Sequence, residues 1–272
     1  MGEHVNLIAY QDHETESNFP DDKSVVDYYK EKINTCNVLI DFIKSNFVND
    51  NWKGNVAEIG SGNSKLMYRL DNERLLSSGY AIEVSESRHK LAERYKQIVE
   101  NKNVKNINSD FMQVAPYNNL DLIIGVDTVF QLIAPLFEQA AENILSWSYQ
   151  SLRSGGGAIF DFRNFSLDYL RYIEVNGDNE ARIWHEFPGY DKYKYEFEYV
   201  FLDKGKLFLE RRCLKRDTLE ESVSTVELMI YTEKQIELLF QKSGFTKVRI
   251  IPNWFNESAG GISPCFLVHA KK

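Results

Sequence analysis

Apolar and polar positions follow two different periods along the chain. From residue 21 to 47, apolar side chains recur every three or four positions, which is typical of one broken amphipathic helix or of two short helices. Strand-like runs then alternate with longer segments of helical spacing; the runs are GNVAEIG, GYAIEVS, VKNINSD, LDLIIGVD and GGAIFDFR. Strands separated by helices of about a dozen residues indicate right-handed crossovers and a parallel sheet with helices on both faces. The pattern therefore predicts a doubly wound α/β core.

The period changes after residue 163. The run KYEFEYVFLD alternates strictly, with aromatic side chains on one face and acidic side chains on the other. A turn at Lys204-Gly205 joins it to KLFLERRCLKR, and a third alternating run, ESVSTVELMIY, follows. These runs predict an antiparallel sheet inserted at about residues 181–231. We expect most aromatic side chains between residues 190 and 201 to form the core of that sheet.

The end of the chain returns to the first pattern and completes the predicted domain. TEKQIELLFQKSGF has helical spacing, and TKVRIIPNWF and PCFLVHAKK are strand-like, so the main sheet is predicted to have seven strands and to be mostly parallel. The 272 residues, 43% of them hydrophobic, suit one domain with a substantial core. We predict a single domain over residues 1–272, with a helical segment at 1–50 and the inserted lobe at 181–231 on the side where a substrate would bind.

Charge and cysteine content exclude several function classes. The chain has 32 Lys and Arg against 40 Asp and Glu, and it lacks a basic block, which argues against a nucleic-acid partner. Cys36, Cys213 and Cys265 show neither CxxC nor metal-ligand spacing, so we expect buried free thiols and no metal. No apolar run approaches the roughly 18 residues of a membrane helix, and the N-terminus lacks a signal-peptide pattern. We therefore predict a cytoplasmic protein without a membrane partner.

The stretch VAEIGSGNSKL, residues 56–66, predicts a cofactor site. Gly60 and Gly62 stand between the first strand and its helix, where glycine lets the backbone approach a ligand closely. Glu83 ends the second strand, close to the expected separation of about 20 residues at which an acid binds a ribose. A dinucleotide fingerprint requires glycine where this chain has Lys65, which favours S-adenosylmethionine over NAD. The alternatives are an NAD-dependent oxidoreductase or epimerase and an S-adenosylmethionine-binding protein without turnover.

These motifs resemble those of the class I S-adenosylmethionine-dependent methyltransferases, whose fold is Rossmann-like. The resemblance extends over most of the chain, through EIGSG, Glu83, SDF at 109–111, LDLIIGVDTVF and LRSGGGAIF. It implies one methyltransferase domain in which S-adenosylmethionine is bound by Glu58, Gly60, Ser61, Gly62, Glu83, Val84, Asp110, Phe111 and Val126. The third glycine of the family's first motif is replaced by Ser64.

A shorter likeness concerns the end of the fifth strand. Asp161-Phe162-Arg163-Asn164-Phe165 is similar to a run in glycine and sarcosine N-methyltransferases, which share the departure at Ser64 and have inserted strands after it. A guanidinium at this edge of the sheet can bind a carboxylate or phosphate through two hydrogen bonds, and the resemblance implies that role for Arg163. The alternative is a structural ion pair with Asp161 or with a Glu of the insertion. We therefore expect a small, anionic methyl acceptor.

The reaction itself imposes few requirements on the protein. Methyl transfer from a sulfonium needs alignment and exclusion of water; an amine acceptor needs little more, whereas a hydroxyl usually needs a general base. N- and O-methylation therefore both stay open. The candidate bases are His185, Glu186 and Asp127, although an isolated His or a loop carboxylate is commonly structural. The candidate walls of the acceptor pocket are Trp184, Tyr190, Tyr193, Tyr10 and Tyr28.

Overall fold

A computed structural model of the chain describes residues 6, 16–48, 52–164, 180–187, 189, 193–204, 206–254 and 265–272. The side chains of residues 17, 180–185, 198 and 253 lie outside this description. Within these ranges the chain forms a seven-stranded sheet, a separate four-stranded sheet and several helices. None of the described helices has the length and hydropathy to cross a membrane.

The N-terminal amphipathic segment forms two helices, α1 (Asp22–Asn34) and α2 (Asn37–Phe47). The Asp21 carboxylate accepts a hydrogen bond from the amide of Ser24 at 2.8 Å, so a capping box fixes the start of α1. Both helices bury apolar side chains in the cluster that covers one face of the large sheet.

The large sheet has the order β10-β11-β5-β4-β1-β2-β3. Its elements are β1 (Gly54–Ile59), α3 (Lys65–Asn72), β2 (Leu76–Glu83), α4 (Glu86–Ile98), β3 (Val104–Asn108), β4 (Leu120–Gly125), α5 (Val129–Ile133), α6 (Ala140–Ser151), β5 (Leu152–Arg163), α7 (Glu233–Lys242), β10 (Thr246–Trp254) and β11 (Cys265–Lys271). Strand β11 is antiparallel to both of its neighbours, whereas β1 to β5 pair in parallel. This arrangement confirms the predicted α/β class with a seven-stranded, mostly parallel sheet.

The second sheet lies between β5 and α7 in sequence. It consists of β6 (Glu180–Glu186), β7 (Tyr193–Asp203), β8 (Lys206–Lys215) and β9 (Glu221–Leu228), paired antiparallel in that order. Strand β6 escaped the sequence analysis because EARIWHE has no regular alternation of polar and apolar residues.

The aliphatic face of the second sheet is its buried face. The register aligns Val200, Leu209 and Val226, and this cluster packs against Leu132 of α5. Four aromatic side chains of β7 lie on the opposite face and are only partly buried; they are Tyr195, Phe197, Tyr199 and Phe201. The expectation that these aromatics form the core of the sheet is wrong, because alternation defines two faces without showing which face finds a packing surface.

One face of the large sheet collects polar side chains at its carboxyl edge. The register aligns Glu58 with Ile124 of β4, and Ile124 with Ile159 of β5, so these residues share a face. Glu83 and Asp161 follow on that face, because side chains two positions apart on a strand point the same way. The N-terminal helices α1 and α2 pack against it. Ligands of open α/β sheets bind at this edge.

Candidate functional site

The two glycines of the loop after β1 have different surroundings. Gly60 and Gly62 have φ angles of +66° and +56°, a region that favours glycine. A Cβ on Gly60 would lie 2.1 Å from Cγ2 of Val129, whereas the nearest atom to a Cβ on Gly62 is Nη1 of Arg88 at 3.7 Å. Gly60 therefore allows the loop to pack against α5, whereas a side chain at Gly62 would meet Arg88 only at ordinary van der Waals distance.

Glu83 joins this loop to the end of β2. Its Oε2 accepts a hydrogen bond from the amide of Gly62 at 2.7 Å, and its Oε1 accepts one from the amide of Ser85 at 2.8 Å. The side chain is buried, so both bonds hold the carboxylate firmly at the carboxyl edge. The structure thus brings together the two features, glycine loop and acid, that the sequence singles out.

The edge continues from β2 to β3 through Val84 and Asp110. The side-chain amide of Asn108 donates to the carbonyl oxygens of Glu83 and Val84, at 3.0 and 3.2 Å. The Asp110 carboxylate caps the next turn by accepting from the amide of Met112 at 3.0 Å. Val84 and Met112 are both exposed, which leaves two apolar side chains beside Asp110. Met112 was not among the predicted site residues, although it follows the predicted acidic turn directly.

Phe111, in contrast, lies in the core. It is buried, and its ring packs edge-on against Trp147 with centroids 6.3 Å apart. Val126, just beyond β4, is also buried and belongs to the apolar cluster under α1 and α2. The structure places these two predicted residues next to the site rather than on its surface.

Two buried polar atoms beside the glycine loop have no hydrogen-bond partner among the residues that the structure describes. They are Oε2 of Glu58 and Oγ of Ser61. Burial raises the pKa of the Glu58 carboxyl well above its usual range; Lys65 lowers this pKa, and Asp127 and Glu83 raise it. An unpartnered carboxylate oxygen at such a position is costly, and a cationic or hydrogen-donating ligand group would relieve that cost.

An ion pair connects the loops that follow β1 and β4. Nζ of Lys65 lies 3.3 Å from Oδ2 of Asp127. Asp127 and Thr128 both have φ near +62°, a left-handed conformation that is unusual for these residues. The Asp161 carboxylate holds this turn by accepting from both amides, at 3.1 and 2.9 Å. Backbone strain maintained in this way is common at ligand sites.

Helix α1 supports the glycine loop through Asn63. The hydroxyl of Tyr28 accepts a hydrogen bond from the Asn63 side-chain amide at 2.5 Å, and the hydroxyl of Tyr29 donates to the Asn63 carbonyl at 2.7 Å. Both tyrosines are buried. Tyr28, predicted to wall the acceptor pocket, is therefore a contact of the loop, and Tyr29 and Asn63 are supporting residues that sequence reasoning missed.

Gln131 holds the end of β5 against the second sheet. Its side chain accepts from the amide of Arg163 at 2.7 Å and donates to the carbonyls of Arg163 and Met229, at 3.3 and 3.0 Å. Asn6 makes a similar connection: its side chain donates to the carbonyl of Glu227 at 2.8 Å and accepts from the Glu227 amide at 2.7 Å. Arg163 is thus fixed, and largely buried, where β5 meets the second sheet.

The other predicted acceptor-side residues belong to the second sheet or its flanks. Glu186 ends β6 and is exposed, and Tyr193 begins β7 and is buried, with its ring 6.2 Å from that of Phe187. His185 lies opposite Glu196 in the register of β6 and β7. The side chains of Trp184 and His185, and the whole of Tyr10 and Tyr190, lie outside the described part of the chain.

Cysteine and metal chemistry receive no support from the described residues. Within the described residues, Cys36, Cys213 and Cys265 form no disulfide, and all three are buried, as predicted. Burial raises the pKa of Cys36 to about 11 and that of Cys265 to about 12, so neither thiol is a ready nucleophile near neutral pH. Over the described ranges, no group of three or more His, Cys, Asp or Glu is arranged to hold a metal ion.

Comparison with known proteins identifies the fold. No protein-family model matches the chain, and no curated protein matches its sequence. Its structure is similar to an S-adenosylmethionine-dependent methyltransferase from Clostridium acetobutylicum, with TM-score 0.64 and 14% identity over 89% of this chain and 91% of that one. It is also similar to the CcbJ methyltransferase from Streptomyces caelestis, with TM-score 0.63 and 12% identity over 100% and 99% of the two chains.

A third similar structure contains the cofactor. It is the S-adenosylmethionine-bound amino pentose methyltransferase of calicheamicin biosynthesis from Micromonospora echinaspora, with TM-score 0.63 and 10% identity over 89% of this chain and 92% of that one. At such low identities the comparisons establish a shared fold, that of S-adenosylmethionine-dependent methyltransferases, over nearly the full length of both chains.

Proposed function

We propose that this chain is an S-adenosylmethionine-dependent methyltransferase that acts on N or O of a small, anionic metabolite. The observation that carries the proposal is the buried, unpartnered oxygen of Glu58 beside a glycine loop that Glu83 holds. The two carboxylates can accept hydrogen bonds from a ribose and from an ammonium group, and they lie in a fold that such methyltransferases share.

The described residues fit the parts of this cofactor. Each oxygen of Glu83 accepts one backbone hydrogen bond and keeps a lone pair that can accept from a ribose hydroxyl. Val84 and Met112 offer exposed apolar side chains for the adenine ring, and Asp110 offers a carboxylate beside them. Oε2 of Glu58 and Oγ of Ser61 can form hydrogen bonds to the amino-acid end of the cofactor.

The charges of the site suit methyl transfer from a sulfonium. When bound, S-adenosylmethionine supplies a methyl group on a positively charged sulfur. Asp127 and Glu83 both raise the pKa of the Glu58 carboxyl, and such a group of neighbouring carboxylates favours a cation over a neutral thioether. A neutral product is therefore held less tightly than the charged cofactor, which assists turnover.

On the acceptor side, we propose that Arg163 binds the carboxylate or phosphate of the metabolite. Its backbone is fixed by Gln131 at the carboxyl edge of β5, the edge at which ligands of this fold bind. An amine acceptor needs no base there. For a hydroxyl acceptor, His185 and Glu186 stay the predicted bases, whereas Asp127 already pairs with Lys65 and suits cofactor binding better.

Calorimetry with S-adenosylmethionine, S-adenosylhomocysteine and NAD tests the cofactor. We expect both adenosyl amino acids to bind and NAD to bind much more weakly, because Lys65 occupies the position of the third fingerprint glycine. Tighter binding of NAD would contradict the proposal and favour an oxidoreductase or epimerase. Transfer of a labelled methyl group to a panel of amino acids, sugar nucleotides and other small anions then separates an enzyme from a protein that only binds the cofactor.

A further inference from the structure

We propose that Lys65 is a specificity-determining residue that binds the carboxylate of the cofactor's amino-acid end, while Glu58 and Asp127 bind its ammonium. This inference rests on the proposed function and assigns a role to a residue that no motif of the sequence marked as a ligand. Lys65 entered the sequence analysis only as a departure from the dinucleotide fingerprint.

The position of Lys65 is the first part of the argument. It is the first residue of α3, directly after the glycine loop, and its Nζ lies 3.3 Å from Oδ2 of Asp127. The two residues reach across from the loops that follow β1 and β4, which are neighbouring strands of the sheet. The Lys65 side chain is 20% exposed and that of Asp127 is 43% exposed, so a ligand can reach both charged groups of the pair.

The charge balance is the second part. Lys65 lowers and Asp127 raises the pKa of the buried Glu58 carboxyl, so both charged groups act on Glu58 as well as on each other. Among the described residues, Oε2 of Glu58 has no hydrogen-bond partner, and Lys65 is the cation that lowers the pKa of this carboxyl. A free amino acid carries one ammonium and one carboxylate. Adding that zwitterion to the cluster gives each carboxylate and each ammonium an oppositely charged neighbour.

The backbone geometry is the third part. Ser64, which precedes Lys65, and Asp127 itself both have φ of +62°. The Asp161 carboxylate holds the Asp127 turn, and Tyr28 and Tyr29 hold the loop before Ser64. Both ends of the ion pair are thus presented by strained turns that other residues maintain. A pair serving only as a surface contact needs no such support.

The competing explanation is that Lys65 and Asp127 form a purely structural ion pair between the two loops. The structural role and the carboxylate-binding role predict effects on different ligands. Loss of a structural ion pair that shapes the whole site would change the affinity for every adenosyl ligand alike. A carboxylate anchor influences only ligands that carry the carboxylate. S-adenosylhomocysteine has both amino-acid charges, decarboxylated S-adenosylmethionine has the ammonium alone, and methylthioadenosine has neither.

Calorimetry with these three ligands on the full chain and on Lys65→Met is the test. We expect Lys65→Met to weaken S-adenosylhomocysteine by about 10- to 100-fold, as for loss of a charge-assisted hydrogen bond, and to leave the other two ligands unchanged. Lys65→Arg should restore most of the affinity. Lys90→Met is the matched control, because Lys90 pairs with Glu86 on the exposed side of α4 and its side chain is 57% exposed.

The outcomes separate this inference from the function on which it rests. If Lys65→Met lowered the affinity for all three ligands equally, or left the affinity for S-adenosylhomocysteine unchanged, Lys65 would not be the carboxylate anchor. The methyltransferase proposal would remain intact. Failure of the unmodified chain to bind any of the three would instead contradict the proposed function. Thermal melting of each variant identifies a loss of folded protein, and in that case Lys65→Gln, which keeps a polar side chain, replaces Lys65→Met.

Discussion

Oε2 of Glu83 accepts a 2.7 Å hydrogen bond from the amide of Gly62, so one buried carboxylate ties the loop after β1 to the end of β2. The same carboxylate is the proposed acceptor for the ribose hydroxyls. Binding and loop geometry are therefore coupled at Glu83, and its removal should affect a nucleoside ligand without disturbing the core packing.

Glu83→Ala should weaken S-adenosylhomocysteine binding by roughly 1–3 kcal/mol, the range for leaving hydrogen-bonding groups unpaired. Calorimetry measures the affinity, and circular dichroism confirms that the fold is kept. Glu86→Gln is the control, because Glu86 lies three residues farther on and its side chain is 69% exposed. If Glu83→Ala bound S-adenosylhomocysteine with unchanged affinity, the role of Glu83 would be limited to capping the end of its strand. Asp110→Ala should act in the same direction.

Gly60 and Gly62 should respond differently to alanine. Both have positive φ, so each substitution carries a backbone cost of about 1–2 kcal/mol. Gly60→Ala adds a clash with Val129 and should lower the melting temperature strongly, whereas Gly62→Ala should mainly lower cofactor affinity. Combining Gly60→Ala with Val129→Ala relieves the clash and should recover part of the stability. A Gly62→Ala variant that binds normally would show that the cofactor does not approach this loop.

Arg163→Lys keeps the positive charge and removes the planar fork of the guanidinium. It should raise the Michaelis constant for the acceptor strongly and leave cofactor affinity nearly unchanged. Arg153→Lys, at an exposed ion pair with Asp121, is the control. If Arg163→Lys lowered the melting temperature and the folded variant used its acceptor normally, Arg163 would be a structural residue. The acceptor would then not need to be an anion.

His269 should make the stability depend on pH. Its ring contacts those of Phe42 and Phe47, and its Nε2 has no hydrogen-bond partner in the described part of the chain. Burial, with Lys271 and Arg249 nearby, lowers its pKa to about 4. In the unfolded chain this pKa is about 6.5, so the unfolded chain binds more protons between these values. The free energy of unfolding should therefore fall as pH drops from about 6.5 to about 4, by up to roughly 3 kcal/mol.

Urea unfolding at a series of pH values measures this effect. His269→Leu has no titrating group and should lack this part of the pH dependence, while other groups continue to contribute equally in both proteins. If the free energy of unfolding changed with pH equally in the two proteins between pH 4 and 6.5, His269 would be solvated or paired in solution.

The sequence predicts the large sheet well because its signals are local. Apolar runs between helical segments indicate parallel strands, and the glycines before Lys65 mark the turn at which a ligand comes close. The buried face of the second sheet was not predictable, because both faces of β7 are regular and packing against residues outside the sheet, such as Leu132, decides between them. Gln131 and the Lys65–Asp127 pair also escaped notice, since their partners lie far away in sequence.

The hydrogen bonds of Asn6 have a consequence for the order of folding. Its side chain joins residue 6 to Glu227 across a sequence separation of 221, and it also donates to the carbonyl of Leu132 at 2.5 Å. Closing so long a loop costs chain entropy that is repaid only when its partners are already in place. The hydrogen bonds of Asn6 therefore form only when β9 and α5 already lie side by side. A nascent chain can accordingly complete these contacts of Asn6 only after β9 has been synthesised.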